Sequence, residues 1–432
     1  MALALAADTL QRHVLPSGLT VILEPLPFVR SVALGYSFRF GSADEVPDLQ
    51  GATHFLEHLL FKGTTTRSLQ QIAREIDELG GEIDAYTGKE YTSFHAHVLD
   101  EQTFDALDLL TDLIGNPAFS KEDLEMERSV ILEEIRMVED TPDDLIHEVF
   151  AESFWPDHGL GRPILGPPEL VRRLSKEAIE GHFRDSFTPS NTIFCASGNI
   201  EPDRLLERLG SAGSHTTARP PARTENPRTA QFVRIIEKPE LEQVHLVIGL
   251  PGYRQTEDQR YAAALLSTIL GGGMSSRLFQ KVREQEGLVY SISSYHTAHA
   301  DSGFEAIYAA CSAENVERVV ELTMLELASI RDDGVTESEL SAAKRYVKGS
   351  ILLSLESTVS RMSAIVRQEH YFRRQYTPEE LIDRINAVEL EDVRAAAQRI
   401  VDPERVAIAL LGPIRDGAIG VDELRRRIEL YS

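Results

Sequence analysis

At 432 residues the chain is too long for one ordinary domain, and two units of about 200 residues are the natural division. A net charge of −25 argues against general nucleic-acid binding, and no apolar run reaches membrane-spanning length. The apolar start, Met1 to Asp8, contains no Lys or Arg and does not read as a signal peptide. The two cysteines, Cys195 and Cys311, sit in or beside apolar runs, so two buried free thiols in a reducing, cytoplasmic setting are expected.

Taken in chain order, strand-like runs occur at 19–23 and 32–40, followed by a helical run at 51–62. In that helix Leu56, Leu59, Leu60 and Phe61 form an apolar stripe, and Gly63 reads as its stop. A second helix is expected at 68–79, a strand at 91–98, helices at 101–115, 120–139 and 142–154, and a strand at 192–196. A Gly/Ser/Pro/Thr-rich linker spans 210–227. Beyond it, strands are expected at 232–236, 244–250, 303–310 and 406–411, with helices at 257–270, 276–286, 314–332, 336–356 and 358–372.

The second series repeats the first. With an offset of 210, Leu60 falls on Leu270 and Phe94 on Phe304. With an offset of 216, Ser120 to Leu124 falls on Thr336 to Leu340, both reading as capping boxes that open a long helix. The expected fold is therefore α+β: two homologous domains, 1–209 and 228–432, each a mostly antiparallel sheet with helices packed on one side.

The most specific chemistry lies in the first copy. His54-Phe55-Leu56-Glu57-His58 reads H-x-x-E-H, the inverse of the H-E-x-x-H zinc motif. Positions 54 and 58 fall one turn apart on one helix face, so both imidazoles can hold one zinc ion. Glu57 projects from nearly the same face, where a carboxylate can act as general base. His54, Glu57 and His58 fall on Ala264, Ser267 and Thr268 in the second copy, so the fold itself does not need them.

A catalytic zinc wants a third protein ligand. The helix after Ser120 offers Glu127 and Glu134, seven apart on one face, with Val130 and Ile131 between them on the same side. Glu122, Glu125, Glu133 and Glu139 read as solvated. In the second copy Glu127 and Glu134 fall on Ala343 and Ser350, so these carboxylates vanish where the histidines do.

On these residues the chain resembles the pitrilysin/insulinase family of zinc peptidases, most closely its mitochondrial processing peptidase-like branch. The carriers are Gly51 to Thr64, the Glu127-Arg-Ser-Val-Ile-Leu-Glu-Glu134 stretch, and the glycine-rich Leu270 to Phe279. The resemblance implies Zn²⁺ held by His54, His58 and Glu134, with Glu57 as general base and Glu127 as a supporting carboxylate. It also implies that Arg283 and Tyr290 contact an extended peptide from the second domain. Asp84 stands where the family often has Asn, and an ionised Asp accepts but cannot donate.

The implied activity is hydrolysis of short or unfolded peptides by one half of a clamshell, completed by a second chain as a homodimer or as a heterodimer with a related chain. Neither nucleic acid nor membrane is expected as a partner. The competing expectation is a non-catalytic or partner-dependent subunit of a heteromeric processing peptidase.

Overall fold

The computed structural model describes residues 10–211 and 227–414. Apart from 210, 211 and 227, the expected linker lies outside the described residues. The chain elements are β1 (Gln11–Val14), β2 (Thr20–Pro25), β3 (Ser31–Phe38), α1 (Ala52–Leu60), α2 (Leu69–Leu79), β4 (Glu82–Thr87), β5 (Thr92–Leu99), α3 (Thr103–Gly115) and α4 (Lys121–Glu139). Next come α5 (Pro142–Phe154), α6 (Pro168–Val171), α7 (Lys176–Ser186), β6 (Thr192–Gly198) and α8 (Pro202–Ser211). The later half supplies β7 (Val233–Glu237), β8 (Val244–Pro251), α9 (Arg260–Gly271), β9 (Val289–Ala298), β10 (Gly303–Cys311), α10 (Val316–Asp333) and α11 (Glu337–Ser354). It ends with α12 (Thr358–Phe372), α13 (Pro378–Asn386), α14 (Leu390–Ile400) and β11 (Ala407–Gly412).

Two compact units emerge, and neither is continuous in sequence. Among the described residues the first draws on 10–136, 162–211 and 352–377, and the second on 137–161, 227–351 and 378–414. The first holds a sheet of order β1-β2-β6-β3-β5-β4, the second a sheet of order β7-β11-β8-β10-β9. Setting β1 aside, the orders correspond strand for strand. Only β2·β6 and β7·β11 are parallel, at the same place in each sheet. The α+β class and the internal repeat are thus both present.

In the first unit the period-2 alternation of β2 and β3 divides their side chains between two faces. Val21, Leu23, Val32 and Leu34 join Phe55, Leu56 and Leu59 of α1 in the main core. Ile22 and Ala33 point the other way and pack with Cys195 against Met362, Ile365 and Val366 of α12. Charged anchors reinforce that outer layer. Glu369, fully buried, accepts from Arg12 at 3.0 and 3.1 Å and from Arg39 at 3.2 Å, while Arg361 grips Glu24 at 2.6 and 2.9 Å.

The second unit is built alike. Leu246, Ile248 and Leu250 face α9, α10 and α14, and α5 lies on the opposite face. Gly249 lets α5 approach, since a Cβ there would meet Phe150 Cζ at 2.1 Å. Trp155, at the end of α5, donates from Nε1 to Ser302 Oγ at 3.0 Å. The expectation of helices on one side is therefore incomplete, because a single helix seals the second face of each sheet.

Local signals behave mostly as read. Thr336 and Glu339 form a reciprocal cap, Thr336 N to Glu339 Oε2 at 2.7 Å and Glu339 N to Thr336 Oγ1 at 3.3 Å. At Ser120 the hydroxyl accepts from Asp123 N at 3.0 Å. Gly63 is not the stop of α1: the helix ends at Leu60, and Gly63 instead pairs with Ser68 in an isolated bridge. The expected helix at 276–286 contains a π-helical turn, Phe279–Gln285. Both cysteines are buried and free. No helix among the described residues is long and apolar enough to cross a membrane.

Candidate metal centre

Helix α1 lies with Phe55, Leu56, Leu59 and Leu60 in the core, which leaves His54, Glu57 and His58 along its remaining flank. The imidazoles of His54 and His58 sit 4.7 Å apart between ring centroids. Helix α4 crosses beside them and brings Glu134, whose Oε2 is 3.5 Å from His58 Nε2 and 3.7 Å from His54 Nε2. Among the described residues these three are the group of His, Cys, Asp or Glu side chains placed to hold a metal, with ligand atoms all within 4.8 Å of one another.

The separations suit a cation better than direct pairing. They are too long for a good hydrogen bond. Bonds of about 2.0–2.2 Å at tetrahedral angles space their ligand atoms by about 3.3–3.6 Å. Two imidazole nitrogens and one carboxylate oxygen also match the donor set of an open, hydrolytic site.

The surroundings act on each donor differently. Burial pulls His54 down to about 4, against the opposing charge of Glu134, so its ring is neutral at ordinary pH and its lone pair is free. Burial also pulls on His58, but Glu134 and Glu127 outweigh it and the net shift is upward. Glu134 is held below its usual range, first by His58. Glu127, the other candidate carboxylate on α4, is nearly inaccessible. It meets His58 Nδ1 at 3.0 Å through Oε2 and Lys62 Nζ at 2.8 Å through Oε1.

Glu57 stands next to this group without joining the ligand set. Its Oε2 accepts a short hydrogen bond from Thr87 Oγ1 of β4. Burial raises its pKa, partly offset by that hydroxyl. Val130 departs from the reading: it is 44% exposed, whereas Ile131 is fully buried, so the inward face of α4 runs through Glu127 and Ile131. Glu122, Glu125, Glu133 and Glu139 are exposed as expected.

Lys62 and Thr87 are not among the expected site residues, yet each has a positional signal. Lys62 is one turn beyond His58, and Thr87 shares a strand face with Ile83 and Ala85, which pack on the core that includes α1. Asp84 alternates to the other face of β4, where its carboxylate accepts from Ala85 N at 2.8 Å. Arg283 and Tyr290 belong to the second unit. Arg283 lies on the π-helical turn with its guanidinium 4.5 Å from the Phe279 ring, and Tyr290 is 79% exposed on β9.

Comparison with known proteins decides the family. A model of "Insulinase (Peptidase family M16)" matches residues 20–168, and one of "Peptidase M16 inactive domain" matches 173–347. An uncharacterized zinc protease of Streptomyces coelicolor is 39% identical over 94% of this chain and 90% of its own length. The chain belongs to the insulinase family, peptidase family M16. A further relative, an uncharacterized zinc protease of Bacillus subtilis, is 38% identical over 94% of this chain and 98% of its own length. The M16 fold is matched by a solved structure from Pseudomonas fluorescens described as a peptidase M16 inactive domain, with a TM-score of 0.86, 21% identity, and coverage of 94% of this chain and 98% of that one. The M16 match over 20–168 holds His54, His58 and Glu134, and the "inactive domain" match over 173–347 holds Ala264 and Thr268, the counterparts of the two histidines.

Proposed function

We propose that this M16 peptidase is a zinc-dependent endopeptidase acting on short or unfolded peptides. The observation that supports it most is the convergence of His54 and His58 Nε2 on Glu134 Oε2, with Glu57 alongside and outside the ligand set. Zinc fits the donor set, and the relatives' names agree with it. When bound by these three residues, zinc polarises the scissile carbonyl and acidifies a water.

The chain's own residues then do the rest. Glu57, with one oxygen occupied by Thr87, presents the other to accept a proton and hand it to the leaving amine. Glu127 fixes the His58 tautomer by taking the Nδ1 proton as its hydrogen-bond partner, which leaves Nε2 as the ligand atom. Arg283 and Tyr290 are assigned to the bound peptide on family resemblance, as is addition of that peptide as an extended strand to β4, the free edge of the first sheet. A second chain, either a copy of this one or a related subunit, is proposed to complete the working enzyme.

The test compares wild type with Glu57→Gln for zinc per chain and for cleavage of a quenched peptide library. Both proteins are expected to bind about one zinc, with cleavage by the wild type alone. Zinc in both with cleavage by neither would instead favour a partner-dependent or non-catalytic subunit.

A further inference from the structure

Helix α1 is only nine residues long and begins without a cap from its own N-cap side chain, because that residue is Gly51. Its first-turn N–H groups are buried and need acceptors from elsewhere. Glu45, itself 4% exposed, serves the N-cap and one of them: Oε2 accepts from Gly51 N at 2.8 Å and Oε1 from Thr53 N at 2.7 Å. The carboxylate thus spans the helix start and ends on the residue directly before His54.

The brace has further members. Arg162 donates from Nη1 to the Glu45 backbone oxygen at 2.8 Å, and Lys89 donates to the Arg162 carbonyl. Thr53 Oγ1 shares a 2.9 Å hydrogen bond with His182 Nε2 of α7. Gly51 has φ +86°, and a Cβ there would fall 2.5 Å from Leu165 O. A Cβ on Gly166 would fall 2.6 Å from Gln50 O. The two backbones are therefore in direct contact at the point where α1 begins.

We propose that Glu45 is a positioning residue for the metal ligands, fixing the rotation and axial setting at which His54 and His58 meet Glu134. The proposal rests on the zinc reading given above. Apolar contacts from Phe55, Leu56, Leu59 and Leu60 hold α1 against the sheet but are not directional, and hydrogen bonds to Gly51 N and Thr53 N are. A ligand displaced by about 1 Å loses much of its value to a metal site, so a device that sets helix rotation acts on both imidazoles at once. The second copy agrees with this assignment. At the offset of 210 Glu45 falls on Gln255, which carries no charge, and α9 carries no ligand residues to position.

Glu45→Gln is nearly isosteric, but its amide turns an N–H toward one of the two backbone donors. The experiment measures zinc affinity by chelator competition, the visible spectrum of the Co²⁺-loaded protein, and metal-free thermal stability for wild type, Glu45→Gln and Glu45→Asp. The expected result is a zinc Kd raised roughly 10- to 100-fold in Glu45→Gln with an altered Co²⁺ spectrum, and a smaller loss in Glu45→Asp. A folded Glu45→Gln with wild-type Kd and spectrum overturns the proposal. So does a loss of affinity that merely tracks an equal loss of metal-free stability in both variants. If Glu45→Gln fails to fold, Glu45→Asp decides: a weakened zinc Kd with metal-free stability retained supports the brace, and a wild-type Kd and Co²⁺ spectrum overturn it. A wild type that binds no zinc fails the underlying reading first, and is recognised by that.

Discussion

His58 Nδ1 lies 3.0 Å from Glu127 Oε2, and this contact commits the opposite nitrogen of the ring to the pocket it shares with Glu134. On the proposed function, Glu127 orients a ligand rather than supplying one. Replacing it with Gln keeps the shape but removes the charge that steadies both His58 and Lys62. The zinc Kd of Glu127→Gln is expected to rise roughly 10- to 100-fold, while Glu134→Gln, which loses a direct ligand, weakens binding further. Chelator competition on the purified variants measures both, and equal losses would mean that the two carboxylates play the same part.

Thr87 reaches Glu57 from β4, so the proposed base on α1 is aimed by a strand residue. Thr87→Val preserves volume and strand propensity but deletes the hydroxyl. It is expected to bind zinc as wild type does and to lose roughly ten-fold in kcat, part of the roughly 10²–10⁴-fold that a general base contributes. A parallel fall in zinc content would assign Thr87 to the metal site instead.

How far these relationships were legible differs by scale. The H-x-x-E-H spacing carried His54, Glu57 and His58 because helical periodicity alone puts them on one flank. The seven-residue spacing carried Glu127 and Glu134 for the same reason. Val130 was misplaced because adjacent helix positions differ by about 100° in direction and the core-facing arc of α4 is narrow, passing through Ile131. Thr87, Lys62 and Glu45 act through contacts made only once β4, the end of α1 and the loop before α1 are packed together. The repeat was visible in sequence, yet the exchange of α5 and α12 was not. An amphipathic helix announces that it has a face to bury and says nothing about which sheet will cover it.

Glu305 gives a pH signature in the second unit. It sits on β10, 1% exposed, and burial pushes its carboxyl up to about 8, against a weaker opposing pull from Ser267. The sign follows from proton counts: between the ordinary 4.5 and about 8 the folded chain holds a proton that the unfolded chain has released. This group therefore makes stability fall as pH rises through that window, with its full cost present above pH 8. Glu305→Gln, which cannot ionise, is expected to gain in Tm relative to wild type at pH 9 and to show little or no gain at pH 5. A Tm difference that is flat between those two pH values would rule out titration of Glu305.

The outer face of the first sheet depends on α12, which enters from more than 150 residues beyond β6 in sequence. Glu369 is the centre of that docking, fully buried and bonded to both Arg12 and Arg39. Glu369→Ala leaves Arg39, itself only 9% exposed, without this carboxylate, and breaking a buried pair from one side costs about 3–5 kcal/mol. Urea unfolding is expected to show a loss on that scale, reduced to the extent that water reaches Arg12, whose side chain is 40% exposed. A chain ended at residue 211 makes the same point without a point mutation. It retains every metal-site residue but exposes Ile22, Ala33, Ile193 and Cys195 where α12 had lain. Such a fragment is expected to aggregate or to unfold without cooperativity, and supplying residues 352–377 in trans is expected to restore solubility. A fragment that is soluble, cooperative and zinc-binding by itself would show that α12 is dispensable, and that the covering of this face contributes little to the stability of the first sheet.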